Sequence, residues 1–138
     1  MAIRMAFGPF VLIARLDLSF VDRSLGSFVW TLRFCWDNRQ PGVGGIGIVR
    51  ISGPAAQEIG TTLIGAIPAP RNPTLRLFLD PHNHPIDQGL ALFYRAPASY
   101  TGEDVLELHG HGGPVVLDLL IERVVALGAR LARPGEFS

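Results

Sequence analysis

From Ile46 to Ser52 the chain reads IGIVRIS, a short run rich in β-branched residues, and this predicts a strand. Pro54 then opens a stretch that carries apolar residues at helical spacing to about Ile64. Proline suits the first position of a helix, where its missing N–H costs nothing, and Gly65 ends the run. Thr74–Asp80 and Gln88–Arg95 alternate between apolar and polar residues. They are separated by DPHNHP, a combination that predicts two antiparallel strands and a turn. Asp104–His109 reads as a further strand. Gly112, Gly113 and Pro114 lead into Val115–Leu127, an almost wholly apolar helix closed by Gly128, and a helix of this kind calls for cover on most sides. Ala129–Arg133 completes the pattern as a last strand. The order β-α-β-β-β-α-β predicts an α+β domain in which two helices pack against a mixed or antiparallel sheet.

Residues 1–40 follow no sustained period. They hold Trp30, Trp36, Cys35, both methionines and five of the eight phenylalanines. They are read as an extension, disordered or mis-assigned at its start, with a single domain over 41–138. Arg4 ahead of the apolar run Met5–Ala14 imitates a secretory leader, but no small-residue cleavage site follows, and Arg15 and Asp17 interrupt. No apolar run approaches the roughly 20 residues that span a bilayer. A cytoplasmic location is expected, with a mitochondrial one as the minor alternative. At 138 residues the chain is long enough for one buried core. Its formal net charge of zero gives no basic footprint for nucleic acid. A single cysteine excludes an internal disulfide framework and a cysteine-based zinc cluster. All 12 basic residues are arginines, so these residues contain no P-loop, which needs a lysine to reach the terminal phosphates of a nucleotide.

Several residues stand out against this frame. Gly42, Gly44 and Gly47 satisfy G-x-G-x-x-G, but a strand rather than a helix follows them. They are therefore read as permitting close backbone approach, to a ligand or a partner chain, rather than as a dinucleotide site. Arg50 shares a strand face with Ile46, Ile48 and Ser52, and an arginine facing a core requires an anion. An internal ion pair, a reach to solvent at the strand end and an anionic ligand all satisfy that requirement. Glu107 lies mid-strand on the face of Val105, His109 and His111. It is either a glutamate on a solvated sheet face or an acceptor for paired donors. Glu103 and Asp104 are expected to shape the turn before this strand together with Thr101. His82 with His84, and His109 with His111, form two H-x-H pairs of the kind a metal site requires. The first pair falls in a proline-flanked turn, and no metal site is assigned.

Three blocks carry a resemblance: Gly44–Gly53 (GGIGIVRISG), Tyr100–Pro114 (YTGEDVLELHGHGGP) and Ala132–Ser138 (ARPGEFS). In order and spacing, over about 41–138, they resemble the N-terminal domain of the tRNA modification GTPase family MnmE/TrmE. In that family the segment before the glycine block supplies a strand and a Thr-Pro-Pro-Gly-Arg-type turn. Here Trp36–Gly42, WDNRQPG, stands in its place, which puts the first strand in doubt. The resemblance implies a dimer-forming domain that binds 5-formyltetrahydrofolate, a tetrahydrofolate derivative. It implies Arg50 as a partner for the carboxylates of the folate tail and Glu107 as acceptor for the ring N–H and amino group of the pterin. A third contact, a lysine, would fall beyond Ser138. It further implies, for the whole family protein, GTP, Mg and K in a separate GTPase domain. The partners implied are a MnmG/GidA-type flavoprotein and tRNA, and the task is 5-carboxymethylaminomethyl-type modification of the wobble uridine. No catalytic residue is assigned within the chain. Two other readings stand beside this one. One is a stand-alone folate-dependent one-carbon or aminomethyl transferase, for which Asp104 and His109 are the candidate acid or base, and the other is a fragment without function of its own.

Overall fold

The computed structural model describes residues 2–7, 10–15 and 28–34 as backbone strands and residues 45–132 in full. β1 (Ala2–Phe7) and β2 (Phe10–Arg15) form an antiparallel hairpin, with Ala2 opposite Arg15 and Phe7 opposite Phe10. A second sheet contains β3 (Phe28–Phe34), β4 (Ile46–Ser52), β5 (Thr74–Leu79), β6 (Pro85–Tyr94), β7 (Val105–His111) and β8 (Arg130–Leu131). Its spatial order is β5-β6-β7-β4-β3-β8. Every neighbouring pair is antiparallel except β3 and β8, so the sheet is mixed. With α1 (Ala56–Ile64) and α2 (Pro114–Ala126), the order from β4 onward is β-α-β-β-β-α-β, and the domain is α+β as the sequence predicts.

Both helices cover one face of the sheet, and the strand register fixes which residues they meet. Ile51, Leu106 and Phe93 lie opposite one another across β4, β7 and β6, and Val49, Leu108 and Ala91 form the next row. All six are buried, together with Phe78 of β5, against Ala56, Ile59 and Leu63 of α1 and Leu117, Leu120 and Val124 of α2. Removing a leucine or isoleucine side chain from water contributes roughly 1.5–3 kcal/mol, so these two rows and the helices over them account for most of the drive to fold.

Several boundaries differ from those expected. α1 starts at Ala56 rather than Pro54, because the Ala56 N–H donates to Gly53 O at 3.1 Å and residues 53–56 make a turn that leaves Pro54 outside the helix. Pro114, not Val115, is the first residue of α2, where its fixed φ fits. The cover expected on most sides of α2 is not found. Val115 is 69 % exposed and Leu119 45 %, because one sheet buries only the stripe of Leu117, Leu120 and Val124. Gly47 admits close approach, but not by a ligand or a partner chain: a Cβ there would meet the Leu117 side chain of α2. Gly42, Gly44 and the WDNRQPG segment lie outside the described residues. β3, antiparallel to β4 with Trp30 opposite Arg50, supplies a strand ahead of the glycine block.

Gly89 in β6 marks the tightest backbone packing. A Cβ at this position would run into the carbonyl oxygen of His109 in β7, and a backbone atom cannot rotate away. Gly89→Ala is expected to cost about 1–3 kcal/mol of stability, read from the urea midpoint. Gly45→Ala, with nothing within 4 Å of the added carbon, should stay within about 0.5 kcal/mol.

Candidate functional site

The face of the sheet away from the helices carries the charge. Arg50 on β4 lies directly opposite Glu107 on β7, and Leu92 on β6 completes the row. The Arg50 Nε donates to Glu107 Oε1 at 2.8 Å, and its Nη2 makes an ion pair with the same oxygen. His109, two residues on and therefore on the same face, places its Nε2 2.9 Å from Glu107 Oε2. Glu107 is only 4 % exposed. Burial pushes its carboxyl up, but the hydrogen bond with His109 and the charge of Arg50 outweigh that, and the group is held below its ordinary value. The result is an ionised acceptor fixed from two sides in a largely dehydrated place. Of the three ways sequence leaves open for satisfying Arg50, the structure shows an internal ion pair.

The segment between β6 and β7, residues 95–104, is folded over this pair by its own polar groups. Ser52 Oγ and Thr101 Oγ1 share a hydrogen bond of 2.6 Å, and Ser52 Oγ donates to Glu103 Oε2 at 3.3 Å. The Ala96 N–H donates to Asp104 Oδ1 at 2.8 Å, and Gly53 N–H to Asp104 O at 3.0 Å. Glu103, Asp104 and Thr101 thus shape the turn as expected. The result places the Tyr100 ring beside the Arg50 guanidinium, 5.1 Å from Cζ to the ring centroid. Tyr94 meets Tyr100 edge to face at 5.7 Å. Burial pushes the Tyr94 hydroxyl up, and the negative charge of Glu107 adds to this. Beside the two rings opens a cleft of about 480 Å³ lined by Arg71, Leu92, Tyr94, Ala98, Ser99 and Tyr100.

The four histidines are divided among three carboxylates. Asp80 Oδ1 accepts from the backbone N–H groups of His82 at 2.7 Å and His84 at 2.8 Å, which closes the β5–β6 turn. Asp87 accepts the His111 backbone N–H at 2.8 Å and lies 2.7 Å from its Nδ1. His109 and His111 share a face but face different acids. Among the described residues, no group of three or more His, Cys, Asp or Glu side chains is placed to hold a metal ion.

Sequence reasoning picked out Arg50 and Glu107, and the structure brings them together. It missed Arg71, Tyr94 and Ser99. Tyr100 opens one of the quoted motif blocks, yet only its position over Arg50 shows what it touches. Arg71 could not be found by spacing, since it joins the cleft from the connection between α1 and β5.

These elements define a class before they define a family: an α+β domain whose sheet carries helices on one face and, on the other, a fixed ion pair beside an aromatic-walled cleft. The family described as "GTP-binding protein TrmE N-terminus" matches residues 38–138, and the chain belongs to that family. It is 61% identical over 98 residues to the tRNA modification GTPase MnmE of Stutzerimonas stutzeri, covering 71% of this chain and 22% of that protein. It is 58% identical over 98 residues to the protein of the same name from Chromohalobacter salexigens, covering 71% of this chain and 21% of that protein. The chain thus spans about a fifth of the length of the curated relatives it matches. No helix among the described residues is long and apolar enough to cross a membrane.

Because the folded carboxyl of Glu107 sits below its ordinary value of 4.5, its ionisation favours the folded state at neutral pH. That contribution begins to fade as pH falls below about 4.5 and is lost as pH passes the lowered folded value. Glu107→Gln should cost roughly 1–3 kcal/mol at pH 7, and the difference in urea midpoint should shrink as pH falls below about 4.5 and vanish once pH is below the lowered folded value. A constant difference from pH 7 to pH 3 would show that packing rather than charge is being measured.

Proposed function

We propose that this domain binds a reduced folate, 5-formyltetrahydrofolate, at Glu107 and Arg50, and that it does so as the N-terminal part of a homodimeric tRNA modification GTPase. The observation that carries the reading is the buried, ionised carboxylate of Glu107, oriented by Arg50 and His109 at the side of a cleft with two tyrosine rings. A pterin presents a ring N–H and an exocyclic amino group side by side, and a carboxylate is the group that accepts from both. Tyrosine faces suit a flat heteroaromatic ring, and the cleft falls within the roughly 300–1,000 Å³ of small-molecule sites. Arg50 keeps the acceptor charged and in place, and the reading counts it among the ligand-binding residues.

In this proposal the domain is a binding module, and residues 41–138 are its extent. The 5-carboxymethylaminomethyl-type modification of the wobble uridine, the MnmG/GidA-type flavoprotein partner, tRNA, and GTP with Mg and K belong to the whole cytoplasmic protein. That the relatives are tRNA modification GTPases supports the tRNA modification part. No observation favours the transferase alternative: Asp104 Oδ1 accepts the Ala96 N–H and His109 lies against Glu107.

Isothermal titration tests the reading. The chain should bind 5-formyltetrahydrofolate and not GTP. Glu107→Gln exchanges an acceptor oxygen for a donor amide and should weaken folate binding at least about tenfold, and Arg50→Ala should weaken it as well. Wild-type affinity in both variants would remove Glu107 and Arg50 from the site, while tight GTP binding would overturn the assignment of the domain as a binding module without a nucleotide site.

A further inference from the structure

Arg71 is the cationic residue that lines the cleft, and its surroundings hold it there. Its backbone lies at φ 60°, in the left-handed region that an arginine seldom adopts. Two bonds maintain that conformation. The Arg71 N–H donates to Phe93 O at 2.8 Å, which ties it to β6, and its Nη2 donates to Ala98 O at 3.2 Å, which ties it to the 95–104 segment. A guanidinium carries five N–H donors, and the Ala98 carbonyl occupies one. Among the described ion pairs, each carboxylate is matched with Arg50 or a histidine, and Arg71 takes part in none. Arg50, by contrast, already faces Glu107.

The two arginines therefore have different chemistry available. Arg50 holds a protein carboxylate, whereas Arg71 presents a planar fork to a solvent-open cleft whose other walls are two tyrosines, a leucine, an alanine and a serine. A ligand that places an aromatic body against the rings and an acid at one end would be met by that fork in two parallel N–H···O bonds. We infer that Arg71 is the anion-selecting residue of the cleft and takes the carboxylate tail of the ligand, while Glu107 reads its ring. This rests on the folate reading above for the ring, but not for the acid.

The test uses three probes on the full chain. 5-Formyltetrahydrofolate has the pterin and the dicarboxylate tail, p-aminobenzoylglutamate has the tail without the pterin, and tetrahydropterin has the ring without the tail. Arg71→Ala and Arg71→Gln should each weaken the two tailed probes about ten- to hundredfold and leave tetrahydropterin unchanged. The unchanged probe also reports that the variants are folded. Glu107→Gln should do the reverse, weakening the two pterins and sparing p-aminobenzoylglutamate. If the Arg71 variants weaken tetrahydropterin as much as 5-formyltetrahydrofolate, or weaken nothing, the assignment of Arg71 is overturned and its bonds only anchor the loop. Selective loss of the tailed probes in the Arg71 variants, with Glu107→Gln changing nothing, would sustain Arg71 and refute the pterin reading. Failure of the wild type to bind any of the three overturns both.

Discussion

The register between β4 and β7 is the constraint on which the rest depends. With Arg50 opposite Glu107, Val49 and Ile51 of β4 and Leu106 and Leu108 of β7 all point to the helices. A slip of one residue in either strand would turn that strand's charge into the core and its two apolar side chains out of it. Desolvating either ion without its partner would cost several kcal/mol. The same alternation thus decides where the core lies and where the charge lies, and neither can be moved without the other. Helices on one face and the ion pair on the other is a consequence of period two applied to these two strands.

A part-buried ion pair is weak support for stability in itself, since desolvation of the two groups offsets much of their attraction. What Arg50 and His109 achieve is different: they keep Glu107 ionised and aimed in a place where burial alone would favour the neutral acid. Ser52 extends the effect outward. It is fully buried at the end of β4, and its hydroxyl anchors Thr101 and Glu103, so the strand that carries Arg50 also holds the loop that sets Tyr100 over it. Strand, ion pair and aromatic wall are one connected construction.

Much of this was legible because the determinants were local. The bounds of β4 match those read from IGIVRIS, and the turn roles of Thr101 and Asp104 follow from short polar side chains beside backbone N–H groups. The ends of the helices were less legible. Pro54 and Pro114 look alike in sequence, yet the Gly53–Ala56 turn excludes the first from its helix while the second begins one. The sidedness of α2 was not legible either: a run of apolar residues does not say how many neighbours will arrive, and here a single sheet leaves Val115 exposed. The resemblance implied Arg50 and Glu107 as two separate ligand contacts, and only the fold shows that they contact each other. The cleft was hidden for a different reason. Arg71, Tyr94 and Tyr100 come from three segments that carry no common spacing, and they meet because β6 and the 95–104 loop fold back past the α1–β5 connection.

His111 shows how the site is joined to the helix layer. Asp87 of β6 binds both its backbone N–H and its ring, and burial of the Asp87 carboxyl is outweighed by these hydrogen bonds, so that acid too stays below its ordinary value. The bond holds the last residue of β7 immediately before Gly112 and Gly113, where the chain turns to enter α2 at Pro114. Gly110 sits under the same carboxylate, close enough that a Cβ would strike Asp87 Oδ2. The two histidines of one strand therefore do unlike work: His109 fixes a carboxylate that faces the cleft side of the sheet, and His111 lets a carboxylate fix the strand end from which the core helix departs. The H-x-H spacing here thus serves two separate hydrogen-bond duties.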